Sequence, residues 1–100
     1  MELQRDAVTV APHVYKVVLE NDRVGVLEVR AMPGAKTDMH THLSLIAVAI
    51  SDEKYRFTSP DGQSMEVELK AGQAIYLEPV EHSSEIIGTN EAHIVLIELK

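Results

Sequence analysis

Two histidines, His40 and His42, stand one residue apart in the stretch PGAKTDMHTHLSLIAVAI, and a third, His82, lies downstream in YLEPVEHS. Neutral imidazole is a ligand for borderline divalent ions, and the i, i+2 spacing decides whether two of them can share one. On a β-strand such residues point the same way, with Cβ atoms about 6.5–7 Å apart, which lets both rings converge on a single ion. An isolated pair at the head of a strand reads as an ordinary polar rim. His82 begins another β-rich run, and it turns the pair into a candidate three-histidine centre of His40, His42 and His82. Three neutral ligands leave an ion's double positive charge undiminished, acidify a bound water and keep coordination positions open. Zn, Ni, Fe or Mn would suit such a centre, with the metal left undetermined.

Two carboxylates are placed to join them. Asp38 shares period-two parity with His40 and His42, and Glu81 is adjacent to His82. Which of them, if either, ligates is left open. His93 alternates with Val95, Ile97 and Leu99 and reads as a packed or hydrogen-bonded residue; His13 follows Pro12 and reads as a surface residue.

Composition removes other chemistries. The chain has 100 residues and no cysteine, so disulfides, thiolate metal sites and thiol catalysis are excluded. A net charge of −7 without a Lys/Arg cluster argues against nucleic acid. The run Leu45–Ile50 is too short to span a bilayer, and MELQRDAV has no apolar leader core. A soluble cytoplasmic protein without membrane partners is expected. No phosphate loop or nucleophile elbow is present.

The elements that must carry the histidines are strands. VYKVVLE and VGVLEVR flank the break NDR; HTHLSLIAVAI ends at SDEK; KYRFT and MEVELK flank SPDGQS, where Asp61-Gly62 signals a hairpin. AIYLE, HSSEII and AHIVLIELK complete about eight strands, and no window of ten residues carries a helical period. The expectation is one all-β domain over residues 1–100, a sandwich or barrel. Only four residues are aromatic, so aliphatic side chains must fill the core.

Parity along HTHLSLIAVAI puts His40, His42, Ser44, Ile46, Val48 and Ile50 on one face and Leu43, Leu45, Ala47 and Ala49 on the other. Both faces are apolar, so the strand must be covered on both sides. A chain of this size has little to spare for that, and a homodimer is expected. The same parity assigns Ile46, Val48, Ile50, Tyr55, Phe57, Met65, Val67, Ile75 and Leu77 to the interior. Ile46 then points in just below the histidines, so that Ile46→Glu would supply a fourth ligand. Tyr55 or Tyr76 would give a small apolar pocket its hydroxyl.

Gly34-AKTDM-His40-Thr41-His42, and Gly72 followed ten residues later by His82, resemble the two motifs of the cupin superfamily. The likeness extends over most of the chain and points to its small single-domain bacterial members. It implies an antiparallel double-stranded β-helix, or jelly-roll barrel, whose mouth holds a divalent metal, usually in a dimer. The sequence departs from that pattern. Where the first motif has a metal-binding Glu stand Ile46 and Ala47; Asp52 and Glu53 occupy the place of its closing Gly; Val80 and Ile86 replace further motif residues.

Three functions stay open on these grounds. The first is a three-histidine metal site at the barrel mouth that binds, and in its catalytic version transforms, a small molecule. The second is a non-catalytic ligand-binding or sensing barrel. The third is a metal-free structural dimer. The sequence does not decide whether the chain is an enzyme.

Overall fold

The computed structural model describes residues 6–100. A short helix α1 (Ala7–Val10) precedes nine strands: β1 (Tyr15–Glu20), β2 (Val24–Ala31), β3 (Lys36–His42), β4 (Leu45–Ala49), β5 (Glu53–Thr58), β6 (Ser64–Leu69), β7 (Ala74–Leu77), β8 (Val80–Ile86) and β9 (Ala92–Leu99). They form a five-stranded sheet, β1-β2-β9-β4-β7, and a four-stranded sheet, β3-β8-β5-β6, every pairing antiparallel. The inner faces of the two sheets enclose the core, as in a jelly roll. Among the described residues, no helix is long and apolar enough to cross a membrane.

The turns form where the sequence supplies them. Met32-Pro33-Gly34-Ala35 closes with Ala35 N–H donating to Met32 C=O at 3.0 Å, and Gly34 sits at φ 88°. Lys70-Ala71-Gly72-Gln73 repeats the device, with Gly72 at φ 90°. Only glycine adopts such a φ without a Cβ penalty. These are the two motif glycines, and they launch the strands β3 and β7. The Asp61-Gly62 hairpin joins β5 to β6 as expected.

The ninth strand comes from the third sequence run, which is two strands rather than one. β3 ends at His42 in the four-stranded sheet, Leu43 and Ser44 cross over, and β4 starts at Leu45 in the five-stranded sheet. The crossover inverts the parity. His40 and His42 are buried on β3, whereas on β4 Leu45, Ala47 and Ala49 are buried and Ile46 and Val48 are not. Ile46 therefore faces away from the barrel interior, beside Ile97 and Tyr76 of the neighbouring strands, and the fourth-ligand position expected there does not exist. Ile50 and Met65 are likewise exposed. Tyr55, Phe57, Ile75 and Leu77 do line the interior, and Val67 packs against the core.

Leu45 and His40 are the two largest fully buried side chains. Around them pack Tyr15, Leu27, Val29, Ile86, Ile94 and Leu96. A histidine at the centre of an aliphatic core asks for an explanation, since burial costs free energy unless its polar atoms are partnered.

Candidate metal centre

The three histidines reach one place through strand register. β3 and β8 are antiparallel neighbours, and His40 stands directly opposite His82, with Thr41 opposite Glu81 and His42 opposite Val80. A bulge precedes them: Thr37 pairs with Ser84 and His40 with His82, so three steps on β3 match two on β8. The extra residue turns Thr37, His40 and His42 all inward, and Asp38 outward. Asp38 is exposed, and what it gives the site is its backbone carbonyl. Glu81 pairs with Thr41, whose neighbours His40 and His42 point inward, so both belong to the opposite face of the sheet. Neither expected carboxylate stands in the cluster.

The imidazole centroids are 4.9 Å apart for His40–His42, 4.9 Å for His40–His82 and 5.2 Å for His42–His82. One nitrogen from each ring lies within 4.8 Å of the other two. The rings are not at an open mouth: His40, His42 and His82 are only 0%, 6% and 5% exposed. Helix α1 packs on β3 and β1, and Asp6 bridges to Thr41 beside the pair.

Hydrogen bonds fix the tautomers. His40 Nδ1 donates to the Asp38 carbonyl at 2.8 Å, which leaves Nε2 with its lone pair. His42 Nδ1 donates to Glu98 Oε2 at 2.6 Å, which frees Nε2 in the same way. His82 Nε2 is buried with no hydrogen-bond partner among the described residues, and Phe57 stacks on its ring at 4.3 Å and 7°. Burial is the main cause that pushes His40 down to about 4 and His82 down to about 3, with the neighbouring imidazoles adding to it. Both are neutral near pH 7.

This donor set fits a divalent ion. Metal-bound histidines commonly donate their second ring N–H to a carbonyl or carboxylate, which orients the ring and raises its basicity. His40 and His42 do so, to a carbonyl and a carboxylate, and His82 presents a buried nitrogen that otherwise forgoes a hydrogen bond.

Two residues at the site escaped the sequence reading. Glu98 shares parity with buried Ala92, Ile94 and Leu96, a signal that was available. Tyr15 is the hydroxyl of the site: it is buried on β1, and its O–H donates to His40 Nε2 at 3.2 Å. Of the two tyrosines expected to give the pocket its hydroxyl, Tyr55 lines the cavity and Tyr76 does not. Tyr76 is exposed, and the Tyr55 ring packs on Phe57. His93 Nε2 donates to Glu28 Oε2 at 2.7 Å on the outer face, and His13 is exposed beside the Lys36 carbonyl.

Below the histidines lies a cavity of about 50 Å³, walled by Leu45, Phe57, Ile75, Leu77, Ile94 and Leu96. It has room for roughly three to five water-sized groups.

No family model and no curated protein matches the sequence. Solved structures do. A cupin domain from Bordetella pertussis Tohama I is 31% identical, covers 87% of this chain and 92% of its own, and superposes with a TM-score of 0.77. A Klebsiella pneumoniae protein with a double-stranded β-helix domain is 24% identical over 86% of this chain and 75% of its own, TM-score 0.68. A cupin-like protein from Thermotoga maritima MSB8 is 21% identical over 85% and 66%, TM-score 0.64. At 31% identity over most of both chains, the first of these likenesses shows that the chain belongs to the cupin superfamily.

Proposed function

We propose that the chain is a cytoplasmic, metal-binding cupin in which His40, His42 and His82 hold a divalent ion and offer it to a small molecule in the cavity below. The observation that carries this reading is the buried, unpartnered Nε2 of His82 between two imidazoles whose own Nδ1 atoms are anchored. Leaving such an atom unsatisfied costs about 1–3 kcal/mol, and an ion removes that cost. Of the ions expected, Zn, Ni and Fe suit imidazole, whereas Mn favours oxygen ligands. Such an ion supplies Lewis acidity toward an oxygen ligand. The chain's own residues do the rest. Glu98 and the Asp38 carbonyl orient two rings, Phe57 braces the third, and the aliphatic wall limits the ligand to a small, largely apolar body. Catalysis and simple binding both follow from this arrangement. Turnover screens of small acids, sugars and thiols under air separate them.

The reading includes a homodimer. The outer face of the five-stranded sheet carries a row of apolar side chains across neighbouring strands: Leu19, Val26, Ile97, Ile46 and Tyr76. Val95 and Val48 form a second pair beside it. A second copy laid on this face would cover it.

Metal analysis of protein purified without a tag tests the main reading. About one divalent ion per chain is expected, as isolated or after incubation with excess Zn²⁺ or Co²⁺. A chain that takes up none would leave the two metal-free readings, a ligand-binding barrel and a structural dimer.

A further inference from the structure

Three hydroxyl side chains, Thr37, Ser84 and Tyr15, stand in the wall of the mostly apolar cavity. Thr37 Oγ1 and Ser84 Oγ lie 2.9 Å apart, and Ser84 N–H donates to Thr37 Oγ1 at 3.1 Å. Ser84 and Tyr15 line the same cavity, and the Tyr15 hydroxyl donates to His40 Nε2. Thr37 and Tyr15 are buried, and all three residues line the cavity. The β3 bulge exists in register with these hydroxyls, since it is what brings Thr37 to the inside together with His40.

The Tyr15 proton rests on the lone pair that an ion at His40 would claim. Once that lone pair is taken, the buried O–H loses that acceptor and needs another, since a buried donor without one is costly. A ligand that meets both groups needs one oxygen for the ion and a second to accept from Tyr15. A carboxylate has that pair of oxygens. Phosphate or sulfate brings additional charged oxygens, and no Lys or Arg lines the cavity to receive them. An ammonium group would be repelled by the ion. The remaining space is small and aliphatic, which limits the ligand to about two to four carbons.

We propose that Tyr15, backed by Ser84 and Thr37, recognises a short aliphatic monocarboxylate at the three-histidine centre. The proposal rests on the metal-binding reading above, and its test keeps the two apart. Co²⁺-loaded protein is titrated with propanoate and, separately, with bromide, while the Co²⁺ absorption bands are followed. Bromide reaches an ion through its single atom and brings no second oxygen to accept from Tyr15. Propanoate should shift the bands saturably, and propylamine should not. Tyr15→Phe should weaken propanoate at least about tenfold, as expected for loss of a hydrogen bond to a charged group. The same variant should leave Co²⁺ and bromide affinities within about threefold. Ser84→Ala, which keeps the tyrosine ring, should weaken propanoate about threefold with bromide unchanged, and it serves if Tyr15→Phe does not fold. Wild-type propanoate affinity in these variants, or equal loss of propanoate and bromide, overturns the role of Tyr15. Failure of wild-type protein to bind Co²⁺ at all overturns the metal reading itself.

Discussion

Glu98 Oε2 accepts a hydrogen bond from His42 Nδ1 at 2.6 Å, joining the end of β9 to the end of β3 across the two sheets. The side chains are 18% and 2% exposed, so solvent competes little for the contact. The carboxylate acts on the site through the ring it orients.

Glu98→Gln should therefore lower divalent-ion affinity by about 10–100-fold while leaving the fold intact, the usual scale for a partner that orients a metal-bound histidine. Calorimetric titration with Zn²⁺, alongside circular dichroism, measures both. Unchanged affinity would reduce the Glu98–His42 contact to a packing detail.

The apo protein should lose stability on acidification. Unfolded histidines titrate near 6.5, whereas His40 and His82 are pushed down to about 4 and about 3 in the fold. The unfolded chain thus binds protons first, and unfolding free energy falls as pH drops. The loss from these two groups begins near pH 6.5 and is complete only below about pH 3, with a slope approaching two protons near pH 5. Urea melts from pH 7.5 to 4.5 on metal-free protein check it. A flat profile would mean that these rings are not buried neutral. The neutral state of the two rings also delays proton competition with a metal, relative to exposed histidines that would lose an ion near pH 6.

Leu45→Ala and Ile46→Ala separate the two faces of β4. Leu45 is 1% exposed and its truncation should cost about 2–5 kcal/mol, at any protein concentration. Ile46→Ala should cost the monomer about 1 kcal/mol or less, because its side chain is already partly in solvent. The reverse ranking in denaturant melts would restore the uninterrupted parity of the sequence.

Ile46→Asp or Ile97→Asp should convert the expected dimer to a monomer without removing the metal site. Both residues lie on the apolar row of the five-stranded sheet, facing away from the cavity. Analytical ultracentrifugation of wild type and variants reads this directly. A wild-type chain that sediments as a monomer near 11 kDa at all concentrations would show that the face has another role.

Much of this was legible in the residues. The turn signals Pro33-Gly34, Asp61-Gly62 and Gly72 punctuate the β-rich runs, and the motif histidines do meet. What parity could not show is where it breaks. The bulge before His40 turns Asp38 outward, and the crossover at Leu43–Ser44 turns Ile46 outward. Each shifts the alternation by one position, the bulge in matching β8 and the two-residue crossover in changing sheets. Tyr15 carried no local signal, since β1 is exposed along the rest of its length and only the sheet closure brings its first residue to His40. Glu98 is readable from the alternation Ala92, Ile94, Leu96, but it lies 56 residues from His42 in sequence, and only the sheet pairing brings the two together.

The most direct test of the central claim is calorimetric titration of a divalent ion into wild-type protein and five single variants: His40→Ala, His42→Ala, His82→Ala, His13→Ala and His93→Ala. The three-histidine centre predicts one ion per chain, loss of at least about tenfold in affinity for each of the first three, and near wild-type binding for the last two. Equal losses from all five, or binding that survives His82→Ala undiminished, would contradict it.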